Sequence, residues 1–121
     1  MVGGFLLNNE LTDFSFFPDR NGRLIANRVQ GGKRPRSSMA PTVVLKEGKP
    51  FLITGSPGGS RIISYVARTI LNVLEWGLDP QAAINSGHIV NRNGVTELEE
   101  GTDAINLKEG LESLGHKIKI R

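Results

Sequence analysis

The chain has 121 residues, enough for one modest domain, with 38% hydrophobic residues and 15 glycines. It has no cysteine, which excludes disulfides, thiolate catalysis and thiolate metal sites. The net charge of +3 comes from 15 basic and 12 acidic residues and is concentrated at Lys33-Arg34-Pro35-Arg36. Aromatic side chains are few and are not interleaved with these bases, so stacking platforms for single strands are absent and nucleic acid is not an expected partner. No apolar run reaches the length of about 18 residues that a membrane-spanning helix needs. The opening MVGGFLLNNELTD lacks the basic-then-apolar pattern of an export leader, and none is expected there.

Taken in chain order, Gly4 to Asn8 is a short apolar run ending in Asn-Asn and reads as a strand. From Glu10 to Ala40 periodicity disappears, and Pro18, Asn21-Gly22, Gly31-Gly32 and Pro35 punctuate a long irregular stretch. Thr42–Leu45 and Pro50–Thr54 form a hairpin around Glu47-Gly48, with side chains apolar enough to bury at least one face. Apolar residues at Ile62, Ile63, Val66, Ile70, Val73 and Leu74 predict a helix, with Ser60 as its N-cap and Gly77 closing it. Asp79-Pro80 starts a short second helix. Arg92-Asn93-Gly94 joins two strands, His88–Asn91 and Val95–Leu98, in another hairpin. Ala104–Leu114 is a last helix closed by Gly115, and Lys117–Ile120 alternates as a strand with no partner strand after it. The whole is a mixed α+β layout.

Among the residues that could carry chemistry, Ser56-Pro57-Gly58-Gly59-Ser60 stands out. A glycine pair between a strand and a helix brings backbone N–H groups together with no side chains in the way. Those groups, at the positive end of a helix, suit a phosphate, a carboxylate or a transition-state oxyanion. The stretch has neither the lysine of a P-loop nor the spacing of a dinucleotide turn, so on its own it reads equally as a structural connection. Ser37-Ser38 places two hydroxyls at a loop–strand junction, where they can donate to one carboxylate or satisfy a turn. Glu10 and Asp13 could hold an ammonium group or cap a turn. His88 and His116 lack neighbours at ligand spacing and read as structural or exposed, so no metal and no cofactor is expected. No serine or threonine has the company of a nucleophile.

Four segments together carry more. LLNNELTDFS at 6–15, KRPRSSMAPT at 33–42, GSPGGSRI at 55–62 and WGLDPQAA at 76–83 resemble, in this order, the small subunit of the γ-glutamyltranspeptidases. The resemblance covers essentially the whole chain. It implies a partial N-terminal nucleophile hydrolase fold, a four-layer αββα sandwich. In that family a precursor cleaves itself, and the new N-terminal threonine of the small subunit attacks a γ-glutamyl amide.

By the same resemblance, Gly58 and Gly59 supply the backbone N–H groups of the oxyanion hole. Ser37 and Ser38 bind the α-carboxylate of the γ-glutamyl group. Asp13 holds its α-amino group, with Glu10 assisting, and the loop at 16–30 lies where some members carry a lid. The implied partners are the large subunit of the same precursor, glutathione or other γ-glutamyl compounds, and amino acid or peptide acceptors. The family resemblance implies a periplasmic or extracellular setting. Residues 1–121 are expected to be a fragment of the small-subunit domain, without the nucleophile-bearing segment and the last strands, and inactive alone. Two other readings stand beside this one. One is a related acylase or a poly-γ-glutamate processing enzyme; the other is a non-enzymatic module whose Lys33, Arg34 and Arg36 bind anions or nucleic acid.

Overall fold

The structure is a computed structural model and describes residues 3–4 and 7–121. It divides into two compact units, Met1–Ser37 and Ser38–Arg121. The strand expected at Gly4–Asn8 falls partly outside the described residues, and Gly4, Leu7 and Asn8 are not in a strand.

In the first unit, Glu10–Asp13 forms one tight helical turn, and buried Phe14 follows it. The irregular stretch contains a minimal hairpin that the sequence reading passed over, β1 (Asp19–Arg20) against β2 (Arg23–Leu24). Asn21 and Gly22, with φ of 53° and 73°, give the left-handed pair that a two-residue hairpin turn requires. Asn27 ties this unit together from both ends. Its Nδ2 donates to the Asp13 carbonyl at 2.6 Å, and its Oδ1 accepts from the Arg36 backbone N–H at 3.0 Å.

The second unit opens with β3 (Thr42–Lys46) and β4 (Lys49–Thr54), antiparallel and joined at Glu47-Gly48 as the sequence predicts. The register slips between Val44 and Leu45, opposite Pro50, which has no N–H to give to the ladder. Leu52 is buried and Val44 half-buried, whereas Val43, Phe51 and Ile53 on the other face are exposed. Helix α1 (Ile62–Leu74) buries Ile62, Val66, Thr69 and Asn72, a stripe at helical spacing. The expected cap at Ser60 is corrected: a tight turn at Gly59–Arg61 precedes the helix, and no side chain caps either element. Gly77 (φ 67°) closes the helix as expected, and Leu78 N–H returns to the Asn72 carbonyl at 3.0 Å.

Helix α2 (Pro80–Asn85) starts as its sequence dictates. Asp79 Oδ1 accepts from the N–H groups of Gln81 and Ala82 at 2.9 and 3.0 Å. Buried Asn72 fastens α1 to α2, its Nδ2 donating to the Ala83 carbonyl and to Ser86 Oγ. Strands β5 (Ile89–Asn91), β6 (Thr96–Leu98) and β7 (Ile118–Ile120) form one sheet in that order. β5 and β6 are antiparallel, whereas β7 lies parallel to β6, so the last strand does have a partner, one that precedes it in the chain. The helix expected at Ala104–Leu114 is two pieces: a tighter turn at Asp103–Leu107, capped by Thr102, and α3 (Lys108–Ser113). Gly110, a poor helix former, sits inside α3 and Gly115 (φ 89°) stops it, which keeps the α-helical part short. The core of this unit gathers Val66 of α1, Ala83 of α2, Val90 of β5, Leu98 of β6 and Ala104.

Candidate active site

β4 ends at Thr54 and α1 begins at Ile62, so the stretch between them, with Gly58 and Gly59, lies where strand passes into helix. Gly58 adopts φ 133° and Gly59 φ 56°, a sequence of backbone angles open to glycine and strained for residues with a Cβ. The Gly58 carbonyl accepts from Arg61 N–H at 3.1 Å, which closes the turn. Among the described residues, neither the Gly58 nor the Gly59 N–H donates a hydrogen bond, and both residues are exposed. Two adjacent amide donors are thus presented without an internal acceptor, the arrangement an oxyanion or carboxylate needs.

Behind the turn lies a cavity of about 300 Å³ lined by Gly58, Arg61, Tyr65, His88, Glu97 and Arg121, among others. Glu97 of β6 is its electrostatic centre. Arg61 grips the carboxylate with two bonds, Nε to Oε2 at 2.7 Å and a terminal nitrogen to Oε1 at 3.0 Å. Arg121 reaches Oε1 at 2.9 Å and Arg92 reaches it at 3.3 Å. The Arg61 hydrogen bonds, and then the charges of Arg61, Arg121 and Arg92, hold the Glu97 carboxyl down to about 2. Arg92 also donates to Ser60 Oγ at 2.7 Å, so the residue after the glycine pair is held by a strand-end arginine. His88 Nδ1 is buried with no hydrogen-bond partner among the described residues, and its ring lies over Tyr65 at 4.1 Å between centroids. His116, in contrast, is a structural residue that pairs its Nδ1 with Thr96 Oγ1 at 2.9 Å.

The remaining site residues fall in both units. In the first unit, Ser37 donates its hydroxyl to Glu10 Oε1 at 2.5 Å, which brings together two residues that lie 27 apart in sequence. Asp13 closes the turn that Glu10 opens and is exposed; its carboxylate enters no hydrogen bond or ion pair among the described residues. In the second unit, Ser38 is half-buried just ahead of β3. Part of the basic cluster is engaged internally: Lys33 donates to the Ala26 carbonyl. Among the described residues no group of carboxylates and imidazoles could hold a metal ion, and no helix is long and apolar enough to cross a membrane. The sequence reading singled out the glycine turn, the serine pair and the acidic pair. It passed over Arg61, Tyr65, Arg92, Glu97 and Arg121, and treated His88 as structural or exposed.

Solved structures share this arrangement of elements. A Helicobacter pylori gamma-glutamyltranspeptidase mutant aligns with 99% of this chain and 68% of its own, with a TM-score of 0.80 at 37% identity. The architecture is therefore α+β and part of an N-terminal nucleophile hydrolase fold. A family model described as Gamma-glutamyltranspeptidase matches residues 1–121, so the chain belongs to that family. The glutathione hydrolase proenzyme of Bacillus subtilis (strain 168) is 44% identical over 115 residues, which are 94% of this chain and 19% of that protein. The glutathione hydrolase proenzyme of Escherichia coli (strain K12) is 42% identical over 125 residues, 98% of this chain and 21% of that protein. The chain thus spans about a fifth of the length of these relatives.

Proposed function

We propose that this chain is the oxyanion-stabilising and γ-glutamyl-binding segment of a γ-glutamyltransferase that also hydrolyses glutathione-like amides. Residues 1–121 are read as part of its small-subunit domain. The observation that carries the reading is the Gly58-Gly59 turn, whose two exposed amide N–H groups have no acceptor among the described residues. It stands in the run Gly55-Ser56-Pro57-Gly58-Gly59-Ser60 of a chain that belongs to this family.

The chemistry then divides by residue type. The N-terminal threonine implied by the family lies in sequence outside this segment, as does the large subunit, and its own α-amine takes the hydroxyl proton. As that oxygen adds to the γ-carbonyl carbon, negative charge develops on the carbonyl oxygen. The Gly58 and Gly59 amides stabilise that charge, each donor contributing about 3 kcal/mol in the transition state. Collapse expels the amine, which takes that proton back from the threonine α-ammonium, and leaves a γ-glutamyl ester, which water or an acceptor amine then releases. Recognition of the γ-glutamyl head rests on opposite charges. The Asp13 carboxylate, exposed and without a described partner, takes the α-ammonium with Glu10, while the Ser37 and Ser38 hydroxyls donate to the α-carboxylate. The one Ser37 hydroxyl proton goes to Glu10 in this structure, so that hydroxyl turns from Glu10 to the α-carboxylate as substrate binds, leaving the Glu10 carboxylate for the α-ammonium.

The test is turnover by the complete protein that carries this segment. γ-Glutamyl-p-nitroanilide should be cleaved at least tenfold faster, in kcat/KM, than glutaryl-p-nitroanilide, which has the same length but no α-amino group, about the worth of one charge-assisted hydrogen bond. Equal turnover of the two would place the chain with acylases that ignore the amino group. Salt-sensitive DNA binding without any amide cleavage would favour the non-enzymatic reading.

A further inference from the structure

We propose that Tyr65 is a positioning residue for the Gly58-Gly59 turn, with His88 holding its ring in place; the catalytic part of this inference rests on the oxyanion reading of that turn. Gly58 owes its lack of a side chain to Tyr65 as much as to its own backbone angle. A Cβ at position 58 would lie 2.9 Å from Tyr65 Cε2, closer than carbon atoms tolerate, and 3.2 Å from Cδ2, a tight contact. The ring therefore fills the space that a side chain at position 58 would take, beside the backbone that carries the first amide donor.

The ring has a second neighbour besides the turn. It leaves α1 one turn after Arg61, whose N–H closes the glycine turn on the Gly58 carbonyl. The His88 imidazole lies over it with 4.1 Å between centroids and 33° between planes. His88 is itself fixed at two points to Glu99: its N–H donates to Glu99 Oε2 at 2.9 Å, and its carbonyl accepts from Glu99 N–H at 3.0 Å. A chain of contacts thus runs from the sheet through His88 and Tyr65 to Gly58. Two adjacent glycines have more backbone freedom than any other pair. Donors aimed at developing charge act fully only when their direction is set in advance. A rigid aromatic ring against Gly58 supplies that constraint from outside the turn. The Tyr65 hydroxyl has no part in it, so phenylalanine should serve equally well.

The experiment compares Tyr65→Phe and Tyr65→Ala in the complete protein, with kinetics on γ-glutamyl-p-nitroanilide and amide hydrogen exchange at Arg61, whose N–H closes the turn on the Gly58 carbonyl. Tyr65→Ala should lower kcat about tenfold with KM within about twofold of wild type, the signature of a loss felt in the transition state. Exchange at Arg61 should quicken, and Tyr65→Phe should match wild type in all three quantities. Exchange unchanged in Tyr65→Ala would overturn the proposal whatever the value of kcat. Faster exchange with kcat unchanged would support Tyr65 as the support of the turn and would instead remove the oxyanion reading. Should Tyr65→Ala fail to mature, His88→Ala takes its place. It keeps the ring but removes its backing, and quickened exchange supports the proposal while unchanged exchange overturns it.

Discussion

Arg61 and Glu97, 36 residues apart, meet through two parallel hydrogen bonds of 2.7 and 3.0 Å. This pair joins the start of α1 to β6 directly behind the glycine turn, with Arg92 and Arg121 completing the charge around one carboxylate. A single acid compensates three guanidiniums, so its protonation state should be visible in stability.

The sign follows from the direction of the shift. Glu97 is held at about 2, below its ordinary value of 4.5, so the folded state binds its proton less readily than the unfolded chain does. The stabilisation is fully present above about pH 4.5 and is lost as pH falls toward about 2. Urea denaturation across that window should show stability falling as the pH is lowered, and Glu97→Gln should flatten the slope. Equal slopes in the two proteins would mean the carboxylate is not the group that titrates.

Asn72 is almost wholly buried, and the two groups to which its side-chain amide donates lie beyond α1, at Ala83 and Ser86. Asn72→Ala removes the donor from both and leaves a small void, so it should cost about 2–3 kcal/mol. Asp79→Ala, which removes only the α2 cap, should cost about 1 kcal/mol. Denaturant midpoints at constant m-value would check the order; a cap variant costing more than Asn72→Ala would contradict it.

The elements that the sequence announces are those whose reasons are local. The Glu47-Gly48 and Arg92-Asn93-Gly94 turns, the Asp79-Pro80 cap and the Gly77 terminator each depend on residues within a few positions of one another, and each stands where it was expected. The Gly58-Gly59 turn was legible for the same reason. The surroundings of that turn were not. Glu97 finds Arg61, Arg92 and Arg121 only once β6 lies between β5 and β7, and the parallel placement of β7 has no local sequence signature. Tyr65 and His88 each look like ordinary core residues until the fold stacks them. The tight turns at Gly59–Arg61 and Asp103–Leu107 were read as helix starts because apolar periodicity does not distinguish the two helical pitches.

Gly58→Ala should act on chemistry before it acts on binding. The new methyl group meets the Tyr65 ring and a φ of 133°, so the turn must shift and the amide with it. In the complete protein kcat should fall about 100-fold, the worth of one oxyanion donor, with a much smaller change in KM. Single-turnover release of p-nitroaniline isolates that step. A loss confined to KM would assign the turn to ground-state binding.

The central claim, that this segment recognises a γ-glutamyl group, is tested most directly at Asp13. The measurement is steady-state kinetics of wild type and Asp13→Ala in the complete protein, with γ-glutamyl-p-nitroanilide as donor. Losing the charge-assisted contact to the α-ammonium should raise KM and lower kcat/KM by about 10- to 100-fold. Glutaryl-p-nitroanilide, which has no ammonium to lose, should respond far less. Unchanged kinetics with the γ-glutamyl donor would contradict the assignment of Asp13 and, with it, the γ-glutamyl reading of the site.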